Sequence, residues 1–296
     1  MKLNASVLMT IGIFALSPCS AASPWTAVDD FQATSLSSAW INIDTQNETH
    51  PFVANAQVTK IVSEAADRNQ YLLKKPAAEG VIGNRKAISF FPLPRAIEAG
   101  ETATLYTRVL VEYFPNNHSH GLSNLSDSEI PDAGYDAFEP MIRITDKAES
   151  DGTKNDGTLM ALSGYKTYDK ITNLATGEAA NPMETGIWYE IWAIVNNADE
   201  SAGGQSYDLY MRGGEFKSQT KVFSGGVFRM KRAAPLTHFM AICNTGSKKP
   251  LTEMAASAMM IFTWRQARSC PHRFSWLMGR FSDASRQCMT VSQRLH

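Results

Sequence analysis

The chain has 296 residues, with 28 Lys and Arg against 29 Asp and Glu and a net charge of −1, so no basic face argues for nucleic acid. Its 4 cysteines include no CxxC spacing, which argues against a zinc cluster. No stretch beyond the N-terminus is long and apolar enough to span a membrane.

The first element is a leader. Met1-Lys2 gives a positive start, and residues 7–16 (VLMTIGIFAL) form an apolar run, well short of the roughly 20 residues a membrane helix needs. Ser20-Ala21-Ala22 then supply small residues ahead of Ser23-Pro24. This order predicts a secretory signal peptide over residues 1–22 and an extracellular or periplasmic location. Pro18 directly before Cys19 fits lipid attachment poorly. Cleavage removes Cys19, and Cys270 and Cys288 fall in an atypical tail, so Cys243 stands alone and no disulfide framework is expected. An exported chain without one suits a bacterial source.

After the leader no helical periodicity of useful length occurs. Short β-rich runs cover 40–43, 58–63, 70–74, 87–91, 102–114, 138–145, 158–162, 187–195, 206–212, 221–223 and 237–243, separated by Gly, Asn, Asp and Pro. Many short strands between turn signals predict an all-β sandwich or barrel. Nothing repeats at a fixed period and no Pro- or Ser-rich linker divides residues 23–247, so they form one expected domain. Two connections are long, 115–137 and 146–157, and both are expected to be polar loops available for function.

The longest runs alternate. Leu105, Thr107, Val109, Ile142, Ile144, Tyr189, Ile191, Ala193, Tyr207 and Leu209 define one set, expected to fill the space between two sheets. The opposite set holds Tyr106, Arg108, Glu112, Glu139, Arg143, Trp188, Glu190, Trp192, Asp208, Tyr210 and Arg212. A plain solvent face would be Thr, Ser and Lys. Aromatics mixed with arginines and carboxylates suit a ligand-facing surface.

The order of motifs completes the picture. Asp29-Asp30-Phe31 and Trp40 open the domain, and Lys86-Ala87-Ile88-Ser89-Phe90 precedes Gly100-Glu101-Thr102-Ala103-Thr104-Leu105-Tyr106. Trp188-Tyr189-Glu190-Ile191-Trp192 and Tyr207-Asp208-Leu209-Tyr210-Met211-Arg212-Gly213-Gly214 follow. From Asp29 to about Gly246 the chain resembles the concanavalin A-like lectin/glucanase superfamily, in particular laminin-G-like jelly-roll domains of environmental bacteria. The resemblance implies a jelly-roll β-sandwich of two antiparallel sheets that recognises a polysaccharide or cell-surface glycan. The Glu-x-Asp-x-x-Glu strand of glycosidases with this fold is absent, as are the Arg-Glu-x-Arg and Gln-Ile-His strands of its alginate lyases. A binding module is therefore favoured over an enzyme, and a structural extracellular module is the third class.

Within that frame the ligand-binding candidates are Tyr106, Arg108, Glu112, Arg143, Trp188, Trp192, Asp208 and Arg212. The catalytic candidates are Glu190, Glu139 and Tyr210. Paired carboxylates serve glycoside cleavage, and Tyr with Arg serves uronate deprotonation. The alternative for the same residues is a cross-strand ladder of Glu–Arg pairs on a solvated sheet. Asp146, Glu149, Asp151 and Asp156 crowd one loop with hard oxygen ligands, which suits a structural calcium or a solvated acidic turn. His118-Ser119-His120 is either a pair of metal-ligating imidazoles or two solvated histidines.

Composition changes at Pro250. Residues 250–296 contain no Lys, Tyr or Asn, yet hold five Met and six Arg, and strand alternation disappears. Residues 248–296 are accordingly read as a frameshifted or disordered tail. One permitted back-translation of residues 253–264, read two bases later, gives DGGIRYDDIYM. That is a turn followed by an alternating strand of the kind that closes the sheet in the family the chain resembles. The closing strand is therefore expected to be missing.

Overall fold

The computed structural model describes residues 25–64, 69–77, 82–112, 114, 117–149, 152–245 and 265–268. In chain order its strands begin with β1 (Trp25–Thr26), β2 (Ile41–His50), β3 (Val58–Ser63), β4 (Gln70–Lys75), β5 (Ile82–Ile97) and β6 (Thr102–Leu110). Next come β7 (Asn117–Ser123), β8 (Phe138–Ile144), β9 (Met160–Gly164), β10 (Thr167–Lys170), β11 (Thr172–Asn173) and β12 (Glu178–Ala179). The last are β13 (Trp188–Asn196), β14 (Ser206–Gly213), β15 (Phe216–Val227), β16 (Leu236–Thr245) and β17 (Arg265–Arg268).

They build a β-sandwich of two antiparallel sheets. A six-stranded sheet runs β1-β17-β6-β13-β14-β15 and a seven-stranded sheet runs β10-β9-β8-β7-β16-β5-β2. The chain crosses between sheets at β1 to β2, β5 to β6, β6 to β7, β10 to β13 (by way of β11 and β12), β15 to β16 and β16 to β17, which is jelly-roll wiring. Strict alternation in β6, β13 and β14 buries Leu105, Val109, Tyr189, Ile191, Ala193 and Leu209 in the main core, as the sequence pattern predicts. Each large apolar side chain so buried contributes about 1.5–3 kcal/mol. Tyr207 crosses the interior: its hydroxyl donates to the Met141 carbonyl at 2.6 Å and accepts from the Leu162 N–H at 2.7 Å.

The turn from β14 to β15 needs glycine twice. Gly213 and Gly214 have φ of +130° and +54°, and a Cβ on Gly213 would lie 2.7 Å from the Trp188 carbonyl oxygen. Close approach of this turn to β13 is what brings Arg212 alongside Glu190.

The hairpin β3–β4 lies against β6 and β13. Tyr71 and Leu73 pack on Leu110 and Trp188. Lys74, on the opposite face of β4, is fully buried and donates to Ser89 Oγ at 2.7 Å and Gln57 Oε1 at 3.0 Å. Burial lowers its ammonium pKa to about 8.

Two expectations are corrected here. Residues 115–137 are not simply a polar loop: β7 lies between β8 and β16 with every side chain buried, and Ile130–Ala133 forms a short helix. The polar residues of β7 hide it in the sequence, because its place between two strands is set by backbone pairing rather than by apolar alternation. The edge of β6 is not wholly open either: β17, from the atypical tail, pairs with Ala103–Tyr106, and β1 pairs with β17. Residues 1–24, where a signal peptide is expected, and the remainder of the tail, including Cys270 and Cys288, lie outside the described residues.

Candidate functional site

The outer face of the six-stranded sheet is built by register. Trp192 of β13 stands opposite Tyr106 of β6 and Tyr210 of β14, giving one aromatic row across three strands. The next row is charged: Glu190 stands opposite Arg108 and Arg212. Beyond it Trp188 pairs with Leu110, and on the other side Ile194 pairs with Thr104 and Asp208. Successive rows on one face are about 7 Å apart. All these residues are half-buried, so their outer edges reach solvent.

Aromatic packing fixes the first row. Tyr106 and Trp192 have ring centroids 5.2 Å apart, and Trp25 meets Tyr106 edge-on at 6.3 Å. Such pairs add about 0.5–1.5 kcal/mol beyond burial. Among the described residues the Trp192 indole N–H has no acceptor. Lys221 Nζ sits 5.9 Å from the centre of the Tyr210 ring.

The charged row is largely self-satisfied. Glu190 Oε1 accepts from the Tyr106 hydroxyl at 2.8 Å, and its Oε2 accepts from Arg212 Nε. Burial, with the negative charge and hydrogen bond of Glu190, raises the Tyr106 phenol far above its ordinary value. Tyr106 is therefore a donor at neutral pH, unsuited to abstracting a proton. Asp208 is bound by Lys221 Nζ at 2.8 Å, Ser224 Oγ at 2.9 Å and the Gly225 N–H at 3.0 Å. Burial pulls the Asp208 carboxyl upward, but these three partners outweigh it and hold it below its ordinary value. An ionised, saturated carboxylate is a poor general acid.

Arg108 behaves differently. Its guanidinium lies 4.6 Å from the centre of the Trp188 ring, and among the described residues it forms no ion pair. The Trp188 N–H donates to Glu64 Oε1 at 2.8 Å, and Tyr71 meets the ring edge-on at 6.1 Å. Trp188 is thus a fixed support rather than a free stacking surface. Glu112 follows the end of β6 and is half-buried.

Two candidates are not on this face. Glu139 and Arg143 belong to β8 in the other sheet, where both faces are covered. Glu139 is 0% exposed and accepts from the backbone N–H groups of Met230, Lys231 and Arg232 at 3.1, 2.9 and 3.2 Å. Its ion pair with Arg232 spans 2.9 Å, so it anchors the segment after β15. Arg143 is 4% exposed, bonded to Asn117 Oδ1 and Glu149, and stacked on Tyr168. Alternation fixes parity along a strand but not whether the second face is covered.

In the acidic loop two described carboxylates turn to protein cations. Glu149 binds Arg143, Lys147 and Asn155, while Asp156 binds Lys170 at 2.8 Å and Thr158. Burial works upward on Asp156, but Lys170 and Thr158 hold its carboxyl at about 2. Asp146 is exposed and Asp151 lies outside the described residues. Two of its carboxylates are thus taken up by protein cations, and no group of three or more His, Cys, Asp or Glu placed to hold a metal occurs among the described residues. His118 and His120 are both buried in β7, where burial drives the first well below its ordinary pKa and the second to about 3. They are neutral core residues rather than solvated ones.

A separate depression lies at the seven-stranded sheet, between the β9–β10 turn and the segment after β15, lined by Ser163, Tyr165, Arg229 and Lys231. It holds none of the sequence-predicted residues. No helix among the described residues is long and apolar enough to cross a membrane.

Neither a protein-family model nor a curated protein matches the chain. Solved structures with a similar trace include the metal-free lectin I-B4 from Griffonia simplicifolia, at 6% identity and TM-score 0.44, covering 84% of this chain and 100% of that one. The exoplasmic/lumenal domain of VIP36 in its Ca2+/Man2-bound form aligns at 8% identity and TM-score 0.45, covering 84% of this chain and 89% of that one. The carbohydrate recognition domain of Emp47p aligns at 10% identity and TM-score 0.41, covering 84% and 97%.

Proposed function

We propose that the protein is an exported, non-catalytic glycan-binding module whose ligand lies on the outer face of the six-stranded sheet. The observation that carries this reading is the half-buried row Tyr106–Trp192–Tyr210, held rigid by cross-strand packing, with the Trp192 N–H left without an acceptor among the described residues. An amphipathic aromatic of this kind offers an apolar plane and a polar edge together, which matches the alternating C–H and O–H faces of a sugar. Glycan binding rather than cleavage is supported by Glu190 and Asp208, whose oxygens are occupied by Tyr106, Arg212, Lys221 and Ser224.

The test is retardation of the purified protein in native gels containing a panel of soluble polysaccharides. At least one polymer retards the wild type, and Trp192→Ala abolishes the effect while leaving the β-sheet circular dichroism intact. Equal retardation of wild type and variant by every polymer would end this reading. Release of reducing ends or unsaturated uronate from any polymer would turn it towards an enzyme.

A further inference from the structure

The charge arrangement on the same face points to the class of glycan. Across β6, β13, β14 and β15 the face carries the cations Arg108, Arg212 and Lys221 and the carboxylates Glu190 and Asp208, with Glu64 and Glu112 beside the Tyr71–Trp188 pair. Two pairs cancel, Arg212 with Glu190 and Lys221 with Asp208. Arg108 forms no ion pair among the described residues, and Glu64 accepts from the Trp188 N–H rather than from Arg108. Glu190 stands directly opposite it across β13, yet that carboxylate is taken up by Tyr106 and Arg212.

We propose that Arg108 reads an anionic substituent, a carboxylate or a sulfate ester, on the glycan bound by the aromatic row. This inference rests on the glycan-binding reading and assigns its charge. Three features support it. The guanidinium is stacked on Trp188 at 4.6 Å, which fixes its plane and leaves its N–H edge available for a bidentate anion. The support is itself immobilised, because Trp188 is bonded to Glu64 and packed by Tyr71. Arg108 also lies one row from Trp192 on the same face, so a substituent of a sugar stacked on Trp192 points into its reach. An ordering cost that a flexible surface arginine would meet on binding is already met in the free protein.

The experiment compares matched polymers that differ only in charge: polygalacturonate against its methyl ester, and dextran sulfate against dextran. Dissociation constants are measured by isothermal titration for wild type, Arg108→Gln, Arg108→Lys and Trp192→Ala, with thermal melts as the folding control. Wild type prefers the charged member of at least one pair by about tenfold or more, and which pair responds distinguishes carboxylate from sulfate. Arg108→Gln removes that preference and keeps the affinity for the neutral member. Arg108→Lys recovers only part of it, since an ammonium neither stacks nor forks, and this variant serves if the glutamine variant fails to fold. A wild type without charge preference, or an Arg108→Gln protein that keeps it, overturns the inference. Loss of preference in Arg108→Gln with no effect of Trp192→Ala overturns the aromatic platform instead.

Discussion

Lys74 gives a sharp test of how the site wall is held. It carries the hairpin β3–β4, whose Tyr71 braces Trp188, and its ammonium reaches Ser89 and Gln57 inside the protein. Burial lowers its pKa from an ordinary 10.5 to about 8. Between those values the unfolded chain holds a proton that the folded protein has released, so stability rises as pH climbs from about 8 towards 10.5. The gap is worth about 3 kcal/mol, present as a constant penalty below pH 8 and relieved above it. Lys74→Met keeps the volume and removes the titration. Ser89 and Gln57 then lose a partner, at a cost that does not depend on pH. Urea unfolding of both proteins at pH 7, 8, 9 and 10, each carrying Cys243→Ala because that buried thiol interacts with Lys74, isolates the effect, since groups remote from Lys74 cancel in the difference. Wild type gains stability relative to Lys74→Met as pH rises, approaching about 3 kcal/mol. A difference that stays flat across the series refutes the buried, charged lysine.

Two further outcomes follow from the core. Glu139→Ala leaves three backbone N–H groups and the Arg232 ion pair without their acceptor and lowers stability by about 3 kcal/mol, measured by urea midpoint. The figure sits at the low end for a buried pair because Arg232 is 29% exposed. Tyr207→Phe strands the Met141 carbonyl and the Leu162 N–H and costs about 1–3 kcal/mol, with little change in glycan affinity, since Tyr207 points away from the outer face.

Much of this was readable in advance because alternation is a physical record of burial. Leu105, Ile191 and Leu209 face inward for the reason the sequence suggests, and Tyr106, Glu190, Trp192 and Arg212 share the opposite face. Register could not be read, so the division of that face into an aromatic and a charged row emerges only from the pairing of β6, β13 and β14. Glu139 and Arg143 follow the same parity but sit in a central strand covered on both sides. Their partners are remote in sequence: Arg232 and the 230–232 backbone for one, Asn117 and Tyr168 for the other. β7 escaped because Asn117, His118, Ser119 and His120 are residues of a turn by type, made into a strand by neighbours contributed from β8 and β16. In the acidic loop composition was informative about charge but not about the lysines and arginine that neutralise it.

The most direct measurement follows the indole N–H resonances by NMR while a retarding polysaccharide is added, with Trp192 assigned through Trp192→Phe. Trp40 is the internal control, since it is buried and its N–H is bonded to Asp29 at 2.8 Å. The Trp192 resonance moves in proportion to saturation while that of Trp40 stays fixed. A polymer that binds the protein and leaves the Trp192 resonance unmoved contradicts a glycan site on this face.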